Sequence, residues 1–322
     1  MGAAAIWVGL HSRDTTREWQ ERIPSATATI KNVYLTPQLA DSSAPKEAPP
    51  PAQETSSSPP VTAAVPAPPP AEPDFPAPDG KTYISIIVSG LGLSEANTER
   101  AVNDLPSKFS LAFSPYGDNV QSWIQKAARL KHETLILLPM EAASYPQDDP
   151  GPRAISSRFS DQENEDNLNW LLSQGKGTVG ALNLMGSRFL TDQKRLSAVL
   201  ETLHKNNSMF IETPGIKDSV APTIAAEEKL PYMEANLKID ATATDSDIRE
   251  KLAGLEKLAH EQGYAIGIAE PYPLTLNIIK SWAAGLEDRG ITLAPVSTVW
   301  KNKPRHEETA PPPPSQDQLK KP

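Results

Sequence analysis

The chain has 322 residues, 33 of them proline, no cysteine and a formal net charge of −9. The acidic balance argues against a nucleic-acid partner, which needs a basic face. The missing cysteines exclude a disulfide framework and a thiolate metal site and leave the compartment open.

Residues 1–40 hold a short apolar run, Gly2 to Leu10. It is about half the roughly 20 residues that a spanning helix needs, and no Lys or Arg precedes it, so the positive start of a signal peptide is missing. Two readings stand side by side: a disordered or interfacial end, or the tail of a membrane anchor whose first half would lie upstream. Thirteen prolines fall between Pro45 and Pro78 and six from Pro304 onward. Residues 41–80 therefore read as a Pro/Ala/Ser-rich linker and residues 303–322 as a polar, Pro-rich tail, neither able to bury a core. Anchor, spacer and globular domain together point to a cell-envelope protein held at the inner membrane with its domain in the periplasm. A soluble protein is the alternative.

The folded part is expected over residues 81–302. Tyr83 to Val88 is a β-branched apolar run between Gly80 and Gly90, a buried parallel strand, and Ser94 caps the helix after it. Phe109 to Ser114 is a second strand. Val120, Trp123, Ile124 and Ala127 form one helix face. Glu133 to Leu138 is the third strand, stopped by Pro139. A helix over about Gln162 to Ser173 buries Leu168, Leu171 and Leu172. Thr178 to Leu182 is the fourth strand, and the next helix buries Leu196, Val199, Leu200 and Leu203. Ser208 to Glu212 is the fifth strand, Asp218 to Lys229 a short helix, and Leu237 to Asp240 a weak sixth strand. Asp245 or Ser246 caps a helix burying Ile248, Leu252, Leu255 and Ala259. Tyr264 to Ala269 is the seventh strand. A last helix buries Ile279, Trp282, Ala283 and Leu286 and ends before Gly290, and Ile291 to Pro295 is the final strand.

Short apolar strands alternating with helices predict an α/β fold: a parallel sheet with helical crossovers in one domain. Closure into a distorted (β/α)7-type barrel fits better than an open doubly wound sheet, and the alternation alone leaves both open. No GxGxxG or Walker sequence follows the first strand, so no nucleotide site is expected. His132 falls at the bottom of the third strand, away from the face where barrel chemistry gathers. His204 and His260 fall at helix C-terminal ends, where a cation offsets the dipole. His11 and His306 lie in the terminal segments. No metal ligand set follows from them.

Several stretches, taken in order, carry a resemblance. These are SGLGLS at Ser89 to Ser94, LAFSPYG at Leu111 to Gly117, HETLILLPME at His132 to Glu141, YPQDDPGP at Tyr145 to Pro152, VGALNLMGSRF at Val179 to Phe189, DSVA at Asp218 to Ala221 and GITLAPVS at Gly290 to Ser297. The chain resembles the divergent polysaccharide deacetylases over about Tyr83 to Ser297. The resemblance implies a distorted barrel and, in members with a full site, a metal-dependent amidase that removes acetyl groups from sugar polymers. It implies zinc or another divalent metal, held by one Asp and two His, with a second Asp as base. Where that pattern has two adjacent aspartates this chain has Ser89 and Gly90. Where it has histidines this chain has Leu184 and Glu270. The ligands and the base are replaced, so no cofactor is expected.

The strand ends still carry Glu141, Asn183, Arg188, Glu212, Asp240 and Glu270, with Tyr116, Tyr145 and Tyr272 in neighbouring loops. These read either as a structural ion-pair network or as a cleft for a glycan or peptidoglycan fragment. The leading expectation is a polysaccharide deacetylase-like envelope protein, catalytically degenerate, that binds a glycan or an envelope protein partner. One alternative is an active carbohydrate deacetylase or hydrolase with a carboxylate site, for which Glu212 and Glu270 would serve as acid and base if about 5–10 Å apart. The other is a scaffolding domain.

Overall fold

The computed structural model describes residues 79–304. The expected anchor, linker and tail fall on residues 1–78 and 305–322, outside the described residues, apart from the junctions at 79–80 and 303–304. In chain order the elements are β1 (Thr82–Leu91), α1 (Glu95–Asp104), β2 (Ser110–Phe113), α2 (Val120–Arg129), β3 (Glu133–Met140), α3 (Asp161–Gln174), β4 (Gly180–Met185) and α4 (Gln193–Lys205). They continue with β5 (Met209–Glu212), α5 (Ala221–Glu227), β6 (Tyr232–Glu234), β7 (Leu237–Lys238), α6 (Asp245–Gln262), β8 (Tyr264–Ala269), α7 (Pro273–Ala283), β9 (Ile291–Leu293) and α8 (Val296–Asn302).

All named strand pairings are parallel, in the order β6-β5-β4-β3-β2-β1-β8-β7, with β9 beside the first residues of β1. The two ends of that order are successive pieces of one extended stretch. Tyr232 to Glu234 pairs with β5, and Leu237 to Lys238 pairs with β8. Between them Ala235 N donates to Glu212 O and Asn236 N to Ile266 O. The stretch hands its hydrogen bonds from one neighbour to the other, so the sheet returns on itself as a seven-stranded distorted barrel.

Alternation along the strands sorts the core into two layers. Tyr83, Ile87, Leu135, Leu137, Leu182, Ile211, Ile266 and Ile268 pack inside the barrel, while Ile84, Ile86, Val88, Ile136, Ala181, Phe210 and Ala269 pack outward against the helices. The bottom of the interior is filled by Val296 and Val299 of α8. That helix lies beyond the final strand expected from the sequence. Its first two N–H groups donate to the Ser110 hydroxyl and the Glu133 carboxylate, which fixes its start beneath β2 and β3.

Other boundaries differ from expectation for local reasons. β3 runs through Pro139 to Met140. On the side where a proline lacks its donor, β2 has already ended opposite Ile136, and the neighbour is the Ile155 segment, whose N–H donates to Pro139 O. No ladder bond is lost there. Helix α6 is capped by Thr244, whose hydroxyl accepts from Asp247 N, three residues on, the reach that a cap requires. The expected last helix stops at Ala283, and a single 3-10 turn, Glu287–Arg289, leads to Gly290 at φ 74°. Helix α3 begins with a capping box between Ser160 and Glu163, worth about 1 kcal/mol.

Candidate functional site

In a parallel barrel the carboxyl ends of the strands form one mouth. β1 and β8 are paired up to Val88 opposite Ala269, so the next residues, Ser89 and Gly90 on one strand and Glu270 on the other, meet at that rim. Gly90 sits at φ 79°, and a Cβ built there would lie 2.8 Å from Glu270 Oε2. The Glu270 carboxylate fills the space that a side chain at position 90 would use. Continuing the alternation of Ile266 and Ile268, Glu270 belongs to the inner face.

Lys238, at the end of β7, brings its Nζ to 3.2 Å from Glu270 Oε1. The Glu270 backbone N–H and the Thr275 hydroxyl both donate to Asp240 Oδ2, at 2.9 and 3.0 Å. Asp240 is buried, and its Oδ1 has no hydrogen-bond partner among the described residues. Burial pushes the Glu270 carboxyl above the ordinary range. The Lys238 ammonium opposes this and the Asp240 charge adds to it. Lys238 was not singled out from the sequence. The signal available was a lysine two residues before Asp240 in the expected sixth strand, which alternation would put on the same face.

The residues present do not fit the metal that the resemblance implies. Leu184 packs against the barrel interior, Ser89 and Gly90 offer no carboxylate, and Glu270 is already paired with a cation. Among the described residues no three His, Asp or Glu side chains are grouped to hold a metal ion, and a zinc site needs three or four such ligands. His132 is buried between the carbonyls of Phe109 and Val102, each at 3.2 Å, and His204 and His260 lie in the last turns of α4 and α6.

The remaining predicted residues separate into other networks. Glu141 is buried. Its Oε2 accepts from the Ser156 hydroxyl and from the N–H and hydroxyl of Ser157 at 2.6–2.8 Å, and Arg158 and Arg188 approach Oε1 at 3.4 and 3.7 Å. Burial would raise this carboxyl, but the Ser157 and Ser156 hydrogen bonds and the Arg158 charge outweigh it and hold it below the ordinary range. Arg188 keeps 55% of its side chain exposed. Asn183 accepts from Thr213 N and donates to Thr213 Oγ1 and to Met185 O. It thereby ties β4 to the segment after β5 and holds Met185 at φ 61°.

Glu212 shares the outward face of Phe210, not the mouth. Its Oε2 accepts from Tyr232 OH at 2.8 Å and Ser219 Oγ at 3.0 Å, and burial raises its pKa against those two bonds. Glu212 and Glu270 therefore lie on opposite faces of the barrel wall. Of the tyrosines, Tyr116 stacks on Trp170 at 6.1 Å and Tyr145 lies under the Arg158 guanidinium at 3.4 Å. Tyr272 and Leu274 are nearly half exposed, and Leu93, on the loop after β1, is two thirds exposed. In sequence Tyr272 lies two residues past Glu270, as the N-cap of α7, and Leu93 three residues past Gly90.

Sequence and structure comparisons identify the family and the fold. The profile of the divergent polysaccharide deacetylases matches residues 86–300. An uncharacterized protein of Haemophilus influenzae is 22% identical over 223 residues, covering 69% of this chain and 78% of its own length. The uncharacterized protein YibQ of Escherichia coli K12 is 25% identical over 229 residues, covering 71% and 70%. The crystal structure of an uncharacterized protein from Agrobacterium tumefaciens C58 superposes with a TM-score of 0.66 at 32% identity, over 71% of this chain and 92% of that one.

Proposed function

The chain belongs to the divergent polysaccharide deacetylase family, and we propose that it has exchanged metal-dependent hydrolysis for carbohydrate recognition. The observation that carries this reading is the Lys238–Glu270 ion pair seated on Gly90. It puts an ammonium and a single carboxylate where a full family site would need an aspartate and a histidine. The polar mouth with exposed Tyr272 at its rim supports a glycan as the ligand, since sugar sites combine an aromatic face with a few polar groups. The ligand class follows from the family, a polysaccharide or peptidoglycan fragment.

The same reading includes a place in the cell envelope, where such polymers lie. Among the described residues no helix is long and apolar enough to cross a membrane, so attachment would rest on residues outside them.

Purified full-length protein should be retained on insoluble peptidoglycan, and Tyr272→Ala should weaken retention about tenfold, ~1.4 kcal/mol. Absence of retention by the parent protein would overturn glycan recognition and favour a scaffolding role. A second reading has one observation in its favour: a part-buried carboxyl with a raised pKa, such as Glu270, suits general acid catalysis. Turnover of acetylated sugar that Glu270→Gln abolishes would establish it over the first.

A further inference from the structure

On the flank of the barrel, where the stretch from Tyr232 to Lys238 leaves β5 for β8, a cavity of about 340 Å³ opens. Glu234, Asn236, Tyr232 and Tyr264 line it, with Lys303 just beyond α8 and Gly215 after β5 at its edge. None of these residues belongs to the mouth at Glu270.

Its polar groups are largely uncommitted. Asn236 Oδ1 accepts from Ile266 N at 2.7 Å, which fixes the amide and leaves Nδ2 as a donor. Neither that Nδ2, the Tyr264 hydroxyl, the Lys303 ammonium nor the Glu234 carboxylate has a hydrogen-bond or ion-pair partner among the described residues. Burial holds the Lys303 ammonium below the ordinary lysine range with no carboxylate to oppose it. Burial, then the Glu234 charge, push Tyr264 up. The Tyr232 hydroxyl is spent on Glu212.

The cavity therefore offers one cation, two neutral donors, one anionic acceptor and two tyrosine side chains. Its volume lies at the lower end of the roughly 300–1,000 Å³ of small-molecule sites. An apolar ligand would strand the donors without water, at a cost. A dianionic phosphate would face Glu234. A ligand with a single negative charge and several hydroxyls matches both the charges and the donors. We propose that this cavity binds a small hydroxylated carboxylate, an acidic monosaccharide in chemical class. Its carboxylate would meet Lys303 and Asn236 Nδ2, its hydroxyls would donate to Glu234, and its ring would lie among the tyrosines.

The test is calorimetric titration of the full-length protein with glucuronate, glucose and glucose 6-phosphate, which differ in charge on one ring framework. Glucuronate should bind at least about tenfold more tightly than either of the others. Lys303→Gln should bring glucuronate down to the affinity of glucose, and Tyr264→Phe should weaken it severalfold. Both variants should melt at the parent temperature, because Lys303 lies past the last turn of α8 and the Tyr264 hydroxyl bonds no other described residue. Equal binding of glucuronate and glucose, no binding of any of the three, tighter binding of glucose 6-phosphate, or undiminished glucuronate binding by Lys303→Gln would each overturn the assignment.

Discussion

Replacing Gly90 by alanine probes the contact on which the proposed loss of hydrolysis rests. Two costs add. At φ 79° a residue with a side chain is strained by about 1–2 kcal/mol. The new Cβ would also stand 2.8 Å from Glu270 Oε2, where even a tight contact is 3.0–3.4 Å. The carboxylate is the end of a flexible side chain and retreats by a few tenths of an ångström, drawing it from Lys238, 3.2 Å away. A partly exposed pair of this kind is worth about 0.5–1 kcal/mol. Gly90→Ala should therefore cost about 1.5–3 kcal/mol in the parent protein. In a Glu270→Ala background the collision partner is gone, and only the backbone cost, about 1–2 kcal/mol, should remain. Urea unfolding of the four proteins at pH 7 closes the cycle. A coupling of about 0.5–1 kcal/mol is expected. Equal costs in both backgrounds would mean that Glu270 does not occupy the space over Gly90, and the reasoning would fail.

Glu141→Gln should destabilise the domain by about 3 kcal/mol, because it removes a buried charge that accepts three hydrogen bonds. Arg188→Ala should cost under about 1 kcal/mol, because that guanidinium is half exposed and 3.7 Å from its partner; similar unfolding midpoints for the two variants would count against this. The pH dependence has opposite signs at two carboxyls. Glu141, held low in the fold, contributes stability that is present above its unfolded pKa of about 4.5 and is lost as the pH falls through its lower folded value. Glu212, raised in the fold, makes the native state bind its proton more tightly, so its contribution declines as the pH rises from about 4.5 through its folded value. Glu212→Gln should thus gain stability relative to the parent as pH is raised from 5 to 8 in chemical denaturation, and a constant difference would contradict the raised pKa.

How legible these features were depends on how local their causes are. β8 was read to the residue, because Tyr264 to Ala269 is bounded by Gly263 in the left-handed region before it and Pro271 after it. The faces of α4 and α6 were legible from 3.6-residue periodicity, and all the residues named on them are buried. The sixth strand was half read, because a stretch that changes partners midway has no single alternation to follow. Helix α8 is not legible in the sequence because its seven residues are positioned by Ser110 and Glu133, far away in the chain. The list of strand-end polar residues was legible, but not their grouping. Whether Glu212 points into the mouth or out of the wall turns on a single residue of register. Ser156, Ser157 and Arg158, which surround Glu141, come from a loop whose path no periodicity announces.

The central claim is that a Lys238–Glu270 pair stands in place of a metal centre. Zinc content of the purified full-length protein, measured by plasma mass spectrometry after exposure to excess zinc and desalting, tests it directly. Zinc far below one per chain, unchanged by Lys238→Ala or Glu270→Ala, is the expected result. One tightly held zinc per chain, lost on Glu270→Ala, would contradict the account and return the protein to the metal-dependent hydrolases.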